Sequence, residues 1–499
     1  MAKQLWRAPL LALGILAVTA GSAAAAVSAP GSVANPKTAG TGGTPCNSAG
    51  IHCYTPQQMT DAYGVSALHV AGTKGDGQTI VLVDSYGTPT GAQDLKTFHD
   101  TFYPNEPNPN FDEVYPNGKP NYTACNGSGT QHSGPCAAEG WAGEATLDIE
   151  WAYAMAPHAH IVLLAVPPAE TEGVQGMPNL FKAISNAVDT YPAGTVFSMS
   201  FGVDEPTFGG AAQSQVAKFD QTFQKGLAKG DTFFASSGDD GTTGTSKQQA
   251  DGRSFDYPTV GWPASSPYVT AVGGTQLMYH WHWNPTTDTP FTADGNYNPA
   301  YFAATPTSTI TEPVWNESWL PAATGGGPSQ IYPRPSWQSA EAGVIGGDHR
   351  GVPDLSWNAA VNGGVLVYTS YFPTDSAPGF HIYGGTSAAS PQVAGVVALA
   401  NQQQRESGGK PIGYLNPLLY QKVQSSAFKD IVPETYGTAV SGQLVDNTLF
   451  DYNGDGQAVT PGPVPGHPVL GGWDETTGFG SPKASQVVAQ IRAARNSTP

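Results

Sequence analysis

Charge is scarce in this 499-residue chain, and positive charge is scarcest: Asp, Glu, Lys and Arg make up 12%, with 21 basic against 39 acidic residues and a formal net charge of −18. A chain so acidic has no electrostatic footprint for nucleic acid or an anionic membrane. So few charges also exclude the composition of a coiled coil. Past the N-terminus, no stretch reaches the roughly 18 apolar residues of a membrane-spanning helix. Cysteines number only four and form no CxxC motif, which removes the usual redox and zinc patterns. What is present is a 39% hydrophobic content, enough for a large core, and 61 Gly and 43 Pro without period, which mean many turns. Length alone allows about three domains or one large α/β domain.

Residues 1–26 read as a secretory signal. Lys3 and Arg7 form a basic start, Leu10 to Ala20 are almost wholly apolar but too short to span a bilayer, and Ala23 to Ala26 offer small residues for cleavage. Losing Lys3 and Arg7 takes the charge to about −20. The expectation is a secreted, extracellular, monomeric protein. The cysteines fit export: Cys46/Cys53 and Cys125/Cys136 are two close pairs, with three connectivities possible and local pairing expected. Asn121, Asn126, Asn316 and Asn496 open glycosylation sequons, relevant only in a glycosylating host.

Residues 27–50, rich in Ala, Gly, Ser, Thr and Pro, read as a flexible leader to a domain over 51–493. Gln78–Asp84, His160–Val166, Val196–Phe201, Thr232–Ala235 and Val365–Thr369 are apolar, strand-like runs. Glu144 to Ala156 is helical and stopped by Pro157. Continuous apolar strands separated by helices predict an α/β fold with a mostly parallel sheet covered on both faces. The Trp-, Tyr- and Asn-rich stretch 276–340 reads as long surface loops. Within it His280 and His282 would share a face of a strand; an aromatic strand pair is the plainer reading than a metal site.

The sharpest motif is Gly384-Gly-Thr-Ser387-Ala-Ala-Ser-Pro391, followed by an alanine-rich apolar run. It puts Ser387 at a helix start, where free N–H groups and a positive dipole favour a developing oxyanion. An ordinary serine N-cap is the alternative. A serine nucleophile needs a base. In Gly143-Glu144-Ala-Thr-Leu-Asp148-Ile-Glu150-Trp151, Glu144 and Asp148 lie four apart, one turn along one helix face. In a site they would share a proton and titrate as a pair, leaving one ionised in acid to take the proton of serine. A solvated acidic face is the bland alternative, weakened by Ala145, Leu147, Ile149 and Trp151 around them. Asp239, in Ser236-Ser-Gly-Asp239-Asp-Gly241 after a strand, is a turn former or, if protonated, a donor to an oxyanion.

The Gly-Thr-Ser-x-x-x-Pro string resembles the nucleophile turn of subtilisin-like peptidases, but the His-Gly-Thr-His string of that class is absent. With Tyr54-Thr-Pro-Gln-Gln-Met-Thr-Asp-Ala-Tyr-Gly64, Ser198-Met-Ser-Phe-Gly202, Gly325-Gly-Gly-Pro-Ser329, Arg350-Gly-Val-Pro-Asp354 and Leu415-Asn-Pro417, the whole series resembles the sedolisin family of serine-carboxyl peptidases. The resemblance implies a subtilisin-like fold and protein or peptide substrates. It implies Ser387 as nucleophile, Glu144 as general base and acid, Asp148 orienting Glu144, and Asp239 in the oxyanion hole beside the Ser387 N–H. It also implies a calcium site at Asp430, Ile431, Leu470, Gly472 and Asp474, with Leu470 departing from the family glycine through a backbone carbonyl ligand.

Between its halves lies an insertion over 432–469. There Asp451, Asn453 and Asp455 have the oxygen spacing of a calcium loop, although Gly462 at the twelfth position excludes a full EF-hand. Family precursors carry a long pro-segment where this chain has about 25 residues after the signal, so folding needs none or receives it separately. Two rival functions remain open: a Ser-His-Asp hydrolase using Asp84, which lacks a credible histidine string, and a binding module on an inactive peptidase scaffold.

Overall fold

The computed structural model describes residues 27–29, 31–41, 44–120, 122, 135–166, 174–244, 255–320, 322–371, 378–436, 443–449 and 464–497. Seven apolar segments form the central sheet: β1 (Thr79–Asp84), β2 (Asn110–Val114), β3 (His160–Ala165), β4 (Val196–Met199), β5 (Thr232–Ser236), β6 (Thr270–Thr275) and β7 (Leu355–Asn358). They pair in parallel throughout, in the order β7-β6-β5-β4-β1-β3-β2. Crossover helices make that possible: α1 (Gly91–Phe102), α2 (Pro135–Met155), α3 (Met177–Thr190) and α4 (Ala212–Lys229).

Both faces of the sheet are buried, which is why its strands read as unbroken apolar runs. Ile80, Leu82, Ile161 and Leu163 pack with α2 and with α5 (Thr386–Glu406) on one face. Val81, Val83, Val162 and Leu164 pack with α3 and α4 on the other. The period-two alternation of a strand assigns each residue to its layer. α2 and α5 approach closely because α5 is built of small residues; a Cβ on Gly395 would come within 2.5 Å of the Met155 Cβ.

Several expectations need correction. The helix holding Glu144 begins at Pro135, since proline suits a first turn that has no N–H bonds to make. Val365–Thr369 is a strand but lies outside the parallel sheet. As β8 (Gly364–Thr369) it pairs antiparallel with β9 (Gly379–Gly384), because too few residues join them for a crossover. Residues 27–50 are not a free leader: Val27–Ser28 extend β9, Ala29 N–H and Val33 N–H donate to the Ile382 and Phe380 carbonyls, and Ala29, Val33 and Ala39 are buried. The Cys46–Cys53 disulfide ties this segment to the domain, as local pairing predicts.

Nor is 276–340 a set of surface loops. Met278–Trp283 pairs with Ala304–Thr311, and Trp281, Trp283, Trp315 and Trp319 are buried. A bulge at His280, whose φ is +62°, breaks the strand alternation; His280 packs on Tyr279 and His282 on Tyr436. Asn316 is buried, its amide donating to the Asp446 and Thr448 carbonyls, so this sequon is inaccessible to a glycan. Residues 1–26, Cys125, Asn121, Asn126 and the Asp451–Asp455 loop lie outside the described residues. No described helix is long and apolar enough to cross a membrane.

Candidate active site

Asp84, Ser200 and Asp239 all sit at or just beyond the carboxyl ends of adjoining parallel strands, at β1, β4 and β5. The order reverses around β1, and it is at such a switch point that open α/β sheets place their ligands.

Ser387 is the second residue of α5 and is fully buried. Two glycines set it there. Gly384 faces the Ala359 carbonyl, where a Cβ would meet oxygen at 2.5 Å, and Gly385 has φ +98° and donates to that same carbonyl at 2.6 Å. Pro391 lacks the N–H that would bond the Ser387 carbonyl four residues back.

β5 ends at Ser236, and the chain turns through Gly238 at φ +112°. The turn is held by Gly325 N–H on the Gly238 carbonyl at 2.8 Å and by the Ser237 hydroxyl on the Gly325 carbonyl at 2.7 Å. Asp239 therefore meets the start of α5. Its Oδ1 accepts from the Thr386 N–H at 2.8 Å and the Thr386 hydroxyl at 2.7 Å, one residue before Ser387. Its Oδ2 is buried with no hydrogen-bond partner among the described residues. Burial pushes this carboxyl up to about 6 against the opposing pull of the Thr386 bonds.

Glu144 and Asp148 project from one face of α2 toward Asp84 at the end of β1. One oxygen from each of the three carboxyls lies within 4.8 Å of the others, and all three are buried. Asp148 accepts from the Ser200 hydroxyl at 2.8 and 3.1 Å. Burial first, then the charges of Asp84 and Glu144, hold Asp148 well above the carboxylate range. Burial also raises Asp84, whose oxygens have no hydrogen-bond partner among the described residues. Glu144 lies toward β9: a Cβ on neighbouring Gly143 would come 2.9 Å from the Tyr383 hydroxyl, and the Glu144 charge adds to burial in raising Tyr383. Tyr383 stands four residues before Ser387.

Asp239 thus meets the start of α5 at Thr386, next to Ser387, and Glu144 and Asp148 form one cluster with Asp84. The cluster contains no histidine among the described residues, so Asp84 joins two acids instead of orienting an imidazole. Sequence reasoning placed Asp84 only in the rival Ser-His-Asp scheme and left Thr386, Ser200 and Tyr383 without a role. Thr386 is inside the Gly-Thr-Ser motif and was the most legible of these.

The second candidate site brings 430–431 and 470–474 together. Gly472 N–H donates to both Asp430 oxygens at 3.0 and 3.1 Å. The buried Asp474 carboxyl accepts Leu470 N–H at 2.9 Å, Thr476 N–H at 2.9 Å, Thr477 N–H at 2.7 Å and the Thr477 hydroxyl at 3.1 Å. Ile431 is buried and Leu470 is 40% exposed. Two carboxylates joined by an oxygen-rich backbone suit a hard cation. The Asp84–Glu144–Asp148 group is also close enough to hold an ion.

Comparison with known proteins agrees with this architecture. Residues 75–438 match the subtilase family model (Peptidase S8). Kumamolisin of Bacillus sp. (strain MN-32) is 32% identical over 348 residues, covering 68% of this chain and 49% of kumamolisin. Sedolisin of Pseudomonas sp. (strain 101) is 30% identical over 330 residues, covering 64% and 45%. Human tripeptidyl-peptidase 1 is 28% identical over 353 residues, covering 68% and 50%. The chain spans about half the length of these curated relatives. A solved Pseudomonas sedolisin, a serine-carboxyl proteinase complexed with two molecules of pseudo-iodotyrostatin, superposes with a TM-score of 0.59 at 24% identity, covering 89% of this chain and 99% of that one. With its parallel sheet and its Gly-Thr-Ser helix start, this chain belongs to the subtilase family, in its sedolisin branch.

Proposed function

We propose that this chain is a secreted peptidase that works in acid and cleaves peptide bonds through an acyl-enzyme on Ser387. The observation that carries the reading is the buried trio Asp84, Glu144 and Asp148, supported by a helix start whose Thr386 N–H Asp239 accepts. Carboxyls this close and this dry cannot all ionise, so they hold protons in common.

In the proposed cycle, the Ser387 hydroxyl oxygen attacks the scissile carbonyl carbon and its proton passes to ionised Glu144. Asp148, held by Ser200, keeps Glu144 oriented and shares its proton. The charge on the carbonyl oxygen is met by the protonated Oδ2 of Asp239 and by the Ser387 N–H; burial raises Asp239 enough for it to donate in acid. Glu144 then returns its proton to the leaving amine, the C–N bond breaks, and water repeats the sequence on the ester. A base of this kind works near its own pKa.

Asp430 and Asp474, with the carbonyls of Ile431, Leu470 and Gly472, would hold calcium, which supplies a fixed positive charge bracing these loops when bound. Secretion is read from residues 1–26.

The reading is tested by mixing the protein with peptide at pH 4, quenching in acid and weighing the Ser387-containing fragment. An acyl adduct on Ser387 that is absent in Glu144→Gln is expected. Turnover without any adduct on that fragment would overturn the mechanism.

A further inference from the structure

Thr386, fully buried between Gly385 and Ser387, takes no step in the proposed cycle. It is the first residue of α5, where the helix has no use for its N–H. That N–H donates to Asp239 Oδ1 at 2.8 Å, and the Thr386 hydroxyl donates to the same oxygen at 2.7 Å. A third bond fixes the hydroxyl itself, whose oxygen accepts the Gly238 N–H at 3.1 Å. An amide N–H can only donate, so the single hydroxyl proton has Oδ1 as its acceptor.

The two oxygens of Asp239 thereby become unlike. Oδ1 has both lone pairs engaged, which is the bonding of a carbonyl oxygen. A proton placed there would displace one of the two bonds. Oδ2 is buried and has no hydrogen-bond partner among the described residues. In the neutral acid the proton therefore belongs on Oδ2. The backbone keeps these segments together: the Gly238 carbonyl accepts the Gly325 N–H and the Asp239 carbonyl accepts the Ala323 N–H, both at 2.8 Å.

We propose that Thr386 is a positioning residue whose hydroxyl reserves Oδ1 of Asp239 as an acceptor and so confines the carboxyl proton to Oδ2. The charged neighbour of Asp239 is Asp240, the next residue, which in turn raises Asp204. β5, residues 322–325 and α5 as far as Gln404 carry no acidic or basic side chain. Burial raises the Asp239 carboxyl, and the two Thr386 bonds oppose it. Loss of the hydroxyl should then have two effects. Asp239 should stay protonated to higher pH, and one lone pair of Oδ1 should open to the proton. A side chain that only packs would produce neither.

This proposal rests on the peptidase reading only for the use of that proton, so its first test needs no substrate. Infrared spectra of the full chain are recorded from pH 3 to 9, and the Asp239→Asn spectrum is subtracted to leave the Asp239 carbonyl band. In the parent the band should lie low, as for a carbonyl taking two hydrogen bonds. In Thr386→Val it should move to higher wavenumber and persist to higher pH, whereas Thr386→Ser should keep the parent behaviour. Thr386→Ala, which adds no atoms, repeats the test should valine not fit. In hydrolysis, Thr386→Val should lower kcat about tenfold with KM kept, less than the loss of a whole oxyanion donor, and move the alkaline limb of the pH profile upward. The spectral changes in a protein that hydrolyses nothing would sustain the positioning role and remove the catalytic reading. A band and a titration unchanged in both the valine and the alanine variants would overturn the proposal, whatever became of kcat.

Discussion

Near α2, Asp84, Glu144 and Asp148 face one another, and the Ser200 hydroxyl is the donor seen on Asp148. Around Gly472 the acids face amides: Asp474 takes three backbone N–H groups and a hydroxyl, and Asp430 takes the Gly472 N–H. The first arrangement makes negative charge costly, so protons are held and passed. In the second, burial pushes the Asp474 carboxyl up to about 6 while the amides and the Thr477 hydroxyl pull against it, so the charged form has donors that the first cluster lacks. The contrast comes from what the backbone offers. A helix interior such as α2 has its N–H groups already used, whereas a turn of glycines and threonines has them free.

The comparison can be broken most strongly at the first site. Ser387→Ala should lower kcat by about 10⁴-fold or more, with a melting temperature within a few degrees of the parent. Residual activity near the parent level would remove Ser387 from the mechanism. Asp239→Ala should lower kcat by about 10²–10³-fold with little change in KM, as for loss of one oxyanion donor. An equal loss through KM would make Asp239 a binding group.

The second site should respond to metal. Chelation of calcium should lower stability by about 3 kcal/mol if the ion is normally present near 100 times its Kd. Asp474→Asn should abolish that sensitivity, and Asp84→Asn should leave it intact. A chelator effect that survives Asp474→Asn would move the cation elsewhere, with the Asp84 cluster the next place to look.

A smaller and broader effect concerns pH. Burial pushes Asp204 up to about 8 and Asp231 and Asp240 to about 7, and it raises Asp84 and Asp148 as well. Between the ordinary carboxylate value near 4 and these values, the folded chain binds more protons than the unfolded one. The stability contributed is therefore full below about pH 4 and is lost as pH rises from there through about 7 to 8. Melting temperatures at pH 4, 6 and 8 should fall in that order; a rise would mean that paired carboxylates dominate instead.

The candidate catalytic residues could be picked out in the sequence because their signals are local. Ser387 lies in a small-residue turn, and Glu144 and Asp148 are one helical turn apart in an apolar helix. Sheet strands were legible for the same reason. What escaped depends on distant partners. Asp84 meets Glu144 and Asp148 only because β1 lies centrally in the sheet, and nothing near it in the sequence says so. Residues 27–50 have the composition of a linker, yet the open edge of β9 captures Val27 and Ser28. The Trp-rich stretch was read by its Asn and Pro content, and the burial of Trp281 and Trp315 against distant segments overrode it.

The central claim is that carboxyls do the work of a histidine. Hydrolysis of an unfolded protein from pH 2 to 9, by the parent and by Glu144→Gln, tests it most directly. Activity confined to below about pH 5 in the parent and lost in Glu144→Gln is the predicted result. A neutral optimum that survives Glu144→Gln would contradict it.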